Sequence, residues 1–356
     1  MSEAAISVPQ AEPFPPSETT GVCGKLRAFV IGGTGAVGRF LVAELLNSPC
    51  YERVVLIGRS PYQIPPNTGE DADIFPFGPY HSKVEVEKNR GRLVEIKVEK
   101  DILETLQGLN AVDIPAALDA PPAPTIYEED ENAVAVSRPA FPDAPYTYHF
   151  FSCLGTTRGD AGSAEAFRHI DLSANNAFAD LSKRLITPAV GNLGYMGLLS
   201  SVGASSSSWF LYPKTKGEAE DYFRAAGFSR LSIFRPGAIQ RGSHLRWTER
   251  ILVSVVPSVS AAAIARAMIR DALAHSNIIT QFRSRPNPAA TIVTSASGPI
   301  TGKIQCFLNG EEISSSLASA YRLNTAPGAV FAQCVPPGSR LANIIYDSAI
   351  KRMGLF

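Results

Sequence analysis

The sequence predicts an α/β fold: one doubly wound parallel sheet with helices on both faces, enlarged by inserts. Three observations predict it. Apolar runs of strand length alternate with stretches of helical periodicity between residues 26 and 276. A glycine-rich turn joins the first run to the first helix. The prolines, 27 in 356 residues, gather where the alternation stops: four in 1–16, five in 61–79 and seven in 113–145. Proline suits neither a helix interior nor a central strand, so those stretches lie outside the core.

Residues 1–24 carry Pro, Ser and Glu without periodicity and read as a disordered tail. Leu26–Ile31 is an apolar strand. Gly32-Gly33-Thr34-Gly35-Ala36-Val37-Gly38 follows, then Phe40, Leu41, Leu45 and Leu46 at helical spacing, then a second strand, Arg53–Ile57. Residues 60–90 are an insert. Arg92–Val98 alternates as a third strand, and a short helix reaches Leu109. A second insert, 111–146, contains Pro121-Pro122-Ala123-Pro124 and Glu128-Glu129-Asp130-Glu131. Tyr148–Leu154 is a buried-type strand ending at Gly155. Ser163–Arg184 is a helix with Phe167, Ile170, Phe178 and Leu181 on one broad face. Tyr195–Leu199 is a strand, 212–226 a helix and Leu231–Phe234 a strand. Such alternation requires a parallel sheet covered on both sides. Beyond Pro236 the pattern weakens. Ser260 reads as the N-cap of a helix through His275. Residues 277–340 form a divergent Ser/Gly/Pro-rich insert, with a hairpin turn at Leu308-Asn309-Gly310-Glu311. Residues 341–356 are expected to be a C-terminal helix on the core.

Charge excludes some classes. Lys plus Arg and Asp plus Glu are both 33, so no basic footprint for nucleic acid exists. The five cysteines are scattered without Cys-x-x-Cys, as expected of reduced intracellular thiols, and neither they nor the five histidines have metal-ligand spacing. No run of 18 apolar residues predicts a spanning helix. Glu3, Glu12 and the missing apolar stretch argue against a signal or transit peptide, so a cytoplasmic location is expected.

The chemistry lies in four places. Gly33-x-Gly35-x-x-Gly38 follows a strand and opens a helix. In that context glycines let the backbone approach a pyrophosphate while the helix N-terminus offers N–H groups. At the end of the second strand, where NAD enzymes place an acid for the ribose hydroxyl, this chain has Gly58-Arg59. A guanidinium suits a 2′-phosphate, so NADP(H) is the expected cofactor. Tyr212 and Lys216 stand four apart on one helix face, and Ser201 lies at a strand end eleven residues before the Tyr. Together they read as a reductase site. Tyr212 exchanges the proton, Lys216 holds the nicotinamide ribose and lowers the Tyr pKa, and Ser201 binds the substrate oxygen. Pro213 fits only if Tyr212 lies in the first helical turn. Arg235-Pro236-Gly237 ends a strand at the ligand-binding edge, where main-chain groups of Gly237 to Ile239 could meet the nicotinamide carboxamide.

These residues resemble the extended or atypical short-chain dehydrogenase/reductase superfamily, a Rossmann-type fold. Four strings narrow the resemblance to the Tat-interacting oxidoreductase family: Cys153-Leu154-Gly155-Thr156-Thr157-Arg158-Gly159, Leu198-Leu199-Ser200-Ser201, Lys216-Gly217-Glu218-Ala219-Glu220 and Phe234-Arg235-Pro236-Gly237. Asp347-Ser348-Ala349-Ile350-Lys351 is similar to that family's C-terminal helix. The resemblance implies NADPH binding through Thr34 to Val37, Arg59, Leu154, Gly155, Tyr212 and Lys216. It also implies regulatory roles in nuclear import and transcription. Two departures stand out. Lys97 occupies the place of an Asp near the third strand's end, and Asp171 that of an Asn which completes a proton relay in many short-chain enzymes. The alternative for Asp171 is a solvated helix residue. Two functions follow: an NADP(H)-dependent reductase of a small carbonyl compound, or a cofactor-loaded, non-catalytic regulatory or scaffold protein whose inserts bind a protein partner. The second adds a nuclear location to the cytoplasmic one.

Overall fold

The computed structural model describes residues 26–48, 50–64, 84–85, 87–89, 91–109, 114, 147–186, 194–228, 230–240, 258–283, 304–308, 311–312 and 341–355. The expected tail and most of the inserts at 60–90, 111–146 and 277–340 lie outside those residues.

The chain starts with β1 (Leu26–Ile31), α1 (Gly38–Asn47), β2 (Tyr51–Gly58), β3 (Leu93–Lys97) and α2 (Ile102–Gly108). After β4 (Thr147–Ser152) come two short helices, α3 (Arg158–Ala161) and α4 (Ala164–Arg168). A π-helical segment, His169–Ala174, joins α4 to α5 (Asn175–Leu185). β5 (Tyr195–Leu199), α6 (Leu211–Ala226), β6 (Arg230–Arg235), β7 (Ala238–Gln240) and β8 (Ser258–Ser260) follow. The rest is α7 (Ala261–Arg283), β9 (Ile304–Leu308), β10 (Glu311–Glu312), β11 (Leu341–Tyr346) and α8 (Asp347–Leu355).

The main sheet has the order β10-β9-β11-β6-β5-β4-β1-β2-β3, and β7 pairs with β8 apart from it. From β3 through β11 the pairing is parallel. The order 3-2-1-4-5-6 is that of a Rossmann-type, doubly wound sheet, whose crevice opens between β1 and β4. Strand residues alternate between two cores. Ala28, Val30, Val54, Leu56 and Phe151 face a layer that includes α1, α7 and α8. Phe29, Ile31, Val55, Ile57 and Phe150 face the layer of α2, α5 and α6.

Local chemistry sets the ends. Asp101 caps α2 by accepting the Leu103 and Glu104 N–H groups at 2.9 and 3.1 Å. Ser260 caps α7 through the Ala263 N–H at 3.1 Å. Buried Arg92 closes α1, donating to the Leu46 and Ser48 carbonyls at 2.9 and 2.8 Å, where the helix dipole favours a cation.

The C-terminal part departs from expectation in two ways. α7 runs past His275 to Arg283. Residues 341–346 are a strand rather than helix, and α8 begins only at Asp347. Ile344-Ile345-Tyr346 has strong strand preference, and β6 supplies a parallel partner along its full length. β9 pairs antiparallel with both β11 and β10, with Leu308 opposite Glu311, so the expected hairpin is an edge of the main sheet.

At the turn after β1, Gly32 adopts φ +71°, and a Cβ there would lie 2.5 Å from the backbone of Cys153 and Leu154. The loops after β1 and β4 therefore touch. A Cβ on Gly38 would lie 2.1 Å from the Gly32 carbonyl oxygen and 2.7 Å from Gly33 Cα. Those neighbours are main chain and cannot swing away. Gly38→Ala is expected to push α1 off the turn, costing about 1–3 kcal/mol as overpacking does. Thermal unfolding checks it; a chain that melts at the parent's midpoint would refute the close approach.

Candidate active site

The residues singled out in the sequence converge on the C-terminal edge of the parallel strands. Thr34 and Gly35 are exposed between β1 and α1. Among the described residues no side chain caps the α1 N-terminus, and no acidic residue stands in its first turn. Arg59 leaves the end of β2 exposed to solvent. Lys97 lies beside Gly58 in the β2–β3 register, with its ammonium on Glu99 at 3.1 Å in solvent.

Tyr212 falls in the first turn of α6, which starts at Leu211, so Pro213 is accommodated there. The Tyr212 ring is 44% exposed and lies 5.8 Å from the buried ring of Phe167. One turn on, Lys216 is buried and points at the loop after β4: a Cβ on Gly155 would lie 3.1 Å from its Nζ. Ser201 Oγ is shielded from solvent and, among the described residues, has no hydrogen-bond partner. A buried hydroxyl in that state fits a ligand oxygen.

Asp171 is not the solvated helix residue the alternative reading expects. It is fully buried in the π-helical segment, its Oδ1 lies 2.7 Å from Lys216 Nζ, and its Oδ2 accepts the Thr156 N–H at 2.7 Å. Burial acts against the Lys216 charge. The charge of Asp171 and its hydrogen bond do most to outweigh it, and the ammonium pKa stays above the ordinary lysine value. Nearby, burial pushes the Cys153 thiol up to about 12 despite Lys216, so it stays protonated at neutral pH.

Sequence reasoning missed Glu220. It is fully buried on α6 and joins three of the four strings quoted above. Its Oε1 accepts the Ser200 hydroxyl at 2.6 Å and Arg235 Nε at 2.9 Å. Its Oε2 pairs with Arg235 Nη2 at 2.5 Å and Arg224 Nη2 at 2.9 Å. Burial disfavours the Arg235 charge, and the Glu220 hydrogen bond and charge more than offset it, raising the pKa. A signal was present. Lys216 and Glu220 share one helix face, and a buried carboxylate needs a partner.

C-terminal residues join the same edge. Arg235 Nη1 donates to the Tyr346 hydroxyl at 3.2 Å, and the Gly237 N–H to Asp347 Oδ1 at 3.3 Å. The carbonyl of buried Pro236 accepts the Val202 N–H at 2.9 Å. The Pro236 carbonyl and the Gly237 N–H are thus engaged within the protein. Among the described residues, no group of His, Cys, Asp and Glu is placed to hold a metal ion, and no helix is long and apolar enough to cross a membrane.

Comparison with known proteins follows this geometry. No protein-family model matches the chain. Rat Protein HTATIP2 is 36% identical over 132 residues, which span 34% of this chain and 52% of that protein. The mitochondrial FMP52 of Candida albicans is 44% identical over 90 residues, 25% of this chain and 37% of the relative. The fmp52 of Aspergillus clavatus, also named mitochondrial, is 32% identical over 151 residues, 42% of this chain and 61% of the relative. Over these segments the chain is similar to HTATIP2 and to the FMP52 proteins. It spans 37% to 61% of the length of these three relatives. Among solved structures, a short-chain type dehydrogenase/reductase from Mycobacterium ulcerans aligns with a TM-score of 0.44 at 15% identity, covering 69% of this chain and 82% of that one. The relationship rests on the sequence relatives and the fold on the strand order. The relatives also correct one expectation. Several FMP52 proteins are named mitochondrial, against the cytoplasmic location expected from the N-terminal residues and the nuclear one implied by the family resemblance.

Proposed function

We propose that this chain is an NADP(H)-dependent oxidoreductase that reduces a carbonyl group, and that it works in mitochondria as the names of its FMP52 relatives suggest. One observation carries the reading. A buried, charged Lys216 at the switch-point edge stands one helical turn from a solvent-accessible Tyr212. A helix pair on an ordinary surface would not bury the ammonium.

The residues fit a dinucleotide. The Gly32–Gly38 turn leaves no room for a Cβ at its tightest points, and the uncapped α1 N-terminus favours an anion. Bound, the cofactor supplies a hydride. The chain does the rest. Lys216, with Leu154 and Gly155, would hold the cofactor's ribose hydroxyls. The Ser201 hydroxyl donates to the substrate oxygen. Tyr212 delivers the proton to that oxygen as the carbonyl becomes an alcohol.

The loop before α6 supports an apolar, uncharged substrate. Val202, Trp209 and Phe210 are 56%, 99% and 77% exposed, and no charged residue lies between Ser201 and Pro213. Main-chain bonds from Val202 to Pro236 and from Ser205 to Pro213 hold this loop in place.

Arg59 supports NADP(H) over NAD(H). Arg59→Ala is expected to weaken NADPH binding about tenfold, the loss of roughly one charge-assisted hydrogen bond, with NADH affinity nearly unchanged. Fluorescence titration with both nucleotides checks this. Equal affinities in the unmutated chain would contradict the 2′-phosphate role.

A further inference from the structure

The Asp171–Lys216 pair lies inside the site, yet the reaction as written does not use its carboxylate. The pair is built from several directions. The Asp171 side chain is held by Lys216 Nζ and the Thr156 N–H, each at 2.7 Å. Its main-chain carbonyl accepts Asn175 Nδ2 at 3.0 Å, and the Asn175 amide oxygen accepts the Ser152 hydroxyl. The residue sits in a π-helical segment, a conformation that is uncommon and concentrates at functional sites. A Cβ on Gly155 would lie 3.1 Å from Nζ and 3.4 Å from Oδ1, so the loop after β4 closes over the pair.

We propose that Asp171 is a positioning residue, which keeps the buried Lys216 ammonium charged and aimed at the loop after β4, where ribose hydroxyls would be taken. The proposal rests on the dinucleotide reading of the site.

The groups that face Lys216 are few. Asp171 comes from the π-helical segment, Cys153 from the end of β4, and Tyr212 and Glu220 from its own helix. The Cys153 thiol is neutral at ordinary pH. Glu220 is already engaged by Arg224 and Arg235. Asp171 is therefore the carboxylate that balances Lys216. The ammonium has three N–H donors; among the described residues Asp171 lies against it at 2.7 Å, and the other donors can serve a ligand. Without the Asp171 charge, burial would act on Lys216 with much less opposition, and a buried lysine sheds its proton at lower pH.

The test is the pH dependence of NADPH binding to the full chain, by fluorescence titration from about pH 6.5 to 9.5. Unmutated protein is expected to hold constant affinity across that range. Asp171→Asn is expected to match it at the acid end and then weaken by up to about tenfold per pH unit above the lowered Lys216 pKa. In the double variant D171N/K216R the cation cannot deprotonate in this range, so its binding should be flat with pH. An Asp171→Asn curve parallel to the unmutated one, whether shifted or not, would overturn the proposal, because a merely structural role is indifferent to the Lys216 proton.

If the unmutated chain binds neither NADPH nor NADH, the dinucleotide reading fails by itself. Thermal unfolding then reads the role of Asp171. In Asp171→Asn the folded protein releases the Lys216 proton before the unfolded chain does. Its stability therefore rises with pH in the window below about 10.4, the unfolded lysine value. A melting-temperature gap to the unmutated chain that narrows through this window supports the positioning role, and a constant gap refutes it.

Discussion

Tyr212→Phe is expected to lower NADPH-dependent carbonyl reduction by about 10²–10⁴-fold, the usual contribution of a positioned general acid, while NADPH affinity changes little. The reason lies in the division of labour along α6. In the proposed reaction Lys216 and the turn after β1 would supply the main cofactor contacts, and the Tyr212 hydroxyl would supply the proton. Its ring is half exposed beside Phe167, so losing the hydroxyl opens no cavity and leaves no buried group unpaired. The assay is steady-state NADPH oxidation against a panel of carbonyl compounds, apolar ones first. Unchanged turnover in the variant would sink the proton-donor role. Cofactor binding with no turnover on any carbonyl in the unmutated chain would leave the regulatory reading in possession.

Glu220→Ala is expected to cost about 3–5 kcal/mol of stability, the range seen when one partner of a buried ion pair is removed. That is a large share of the 5–15 kcal/mol that holds a typical domain together. Here the penalty has a definite seat. Among the described residues, partly buried Arg235 would keep the Tyr346 hydroxyl and ring, while the Ser200 hydroxyl loses its acceptor. Denaturant titration measures the loss. Replacing both partners, as in Glu220→Leu with Arg235→Met, is expected to recover much of it, since two apolar residues leave no uncompensated charge. A loss below about 1 kcal/mol in the single variant would mean that solvent reaches the network and screens it.

The first half of the sheet was legible because its signals are local. Leu26–Ile31, the glycine turn and the Phe40–Leu46 stripe identify themselves within one window, and β1 and α1 follow them closely. Tyr212 and Lys216 were legible for the same reason, since a spacing of four fixes their shared face. Three of the misreadings involve distant partners. β11 was taken for helix because its strand character depends on β6, over 100 residues earlier. Asp171 read equally well as a solvated residue because nothing near it in sequence announces Lys216, 45 positions on. Glu220 escaped notice because its bonds reach Ser200 on one side and Arg235 on the other. Periodicity reports which face is buried, and it is silent on what a buried charge will meet there.

The contacts of Tyr346 and Asp347 with Arg235 and Gly237 bear on the order in which this protein comes into being. They join residues 111 and 110 positions apart in the chain. β11 lies between β6 and β9, inside the sheet rather than at its rim. On a ribosome, the edge that bears the candidate site must therefore wait, with β6 unpaired on one side, until residues 341–347 have left the exit tunnel. An open strand edge invites mispairing during that interval. The growing chain is thus exposed until those residues emerge, and a chaperone that shields β6 would serve it best during that interval.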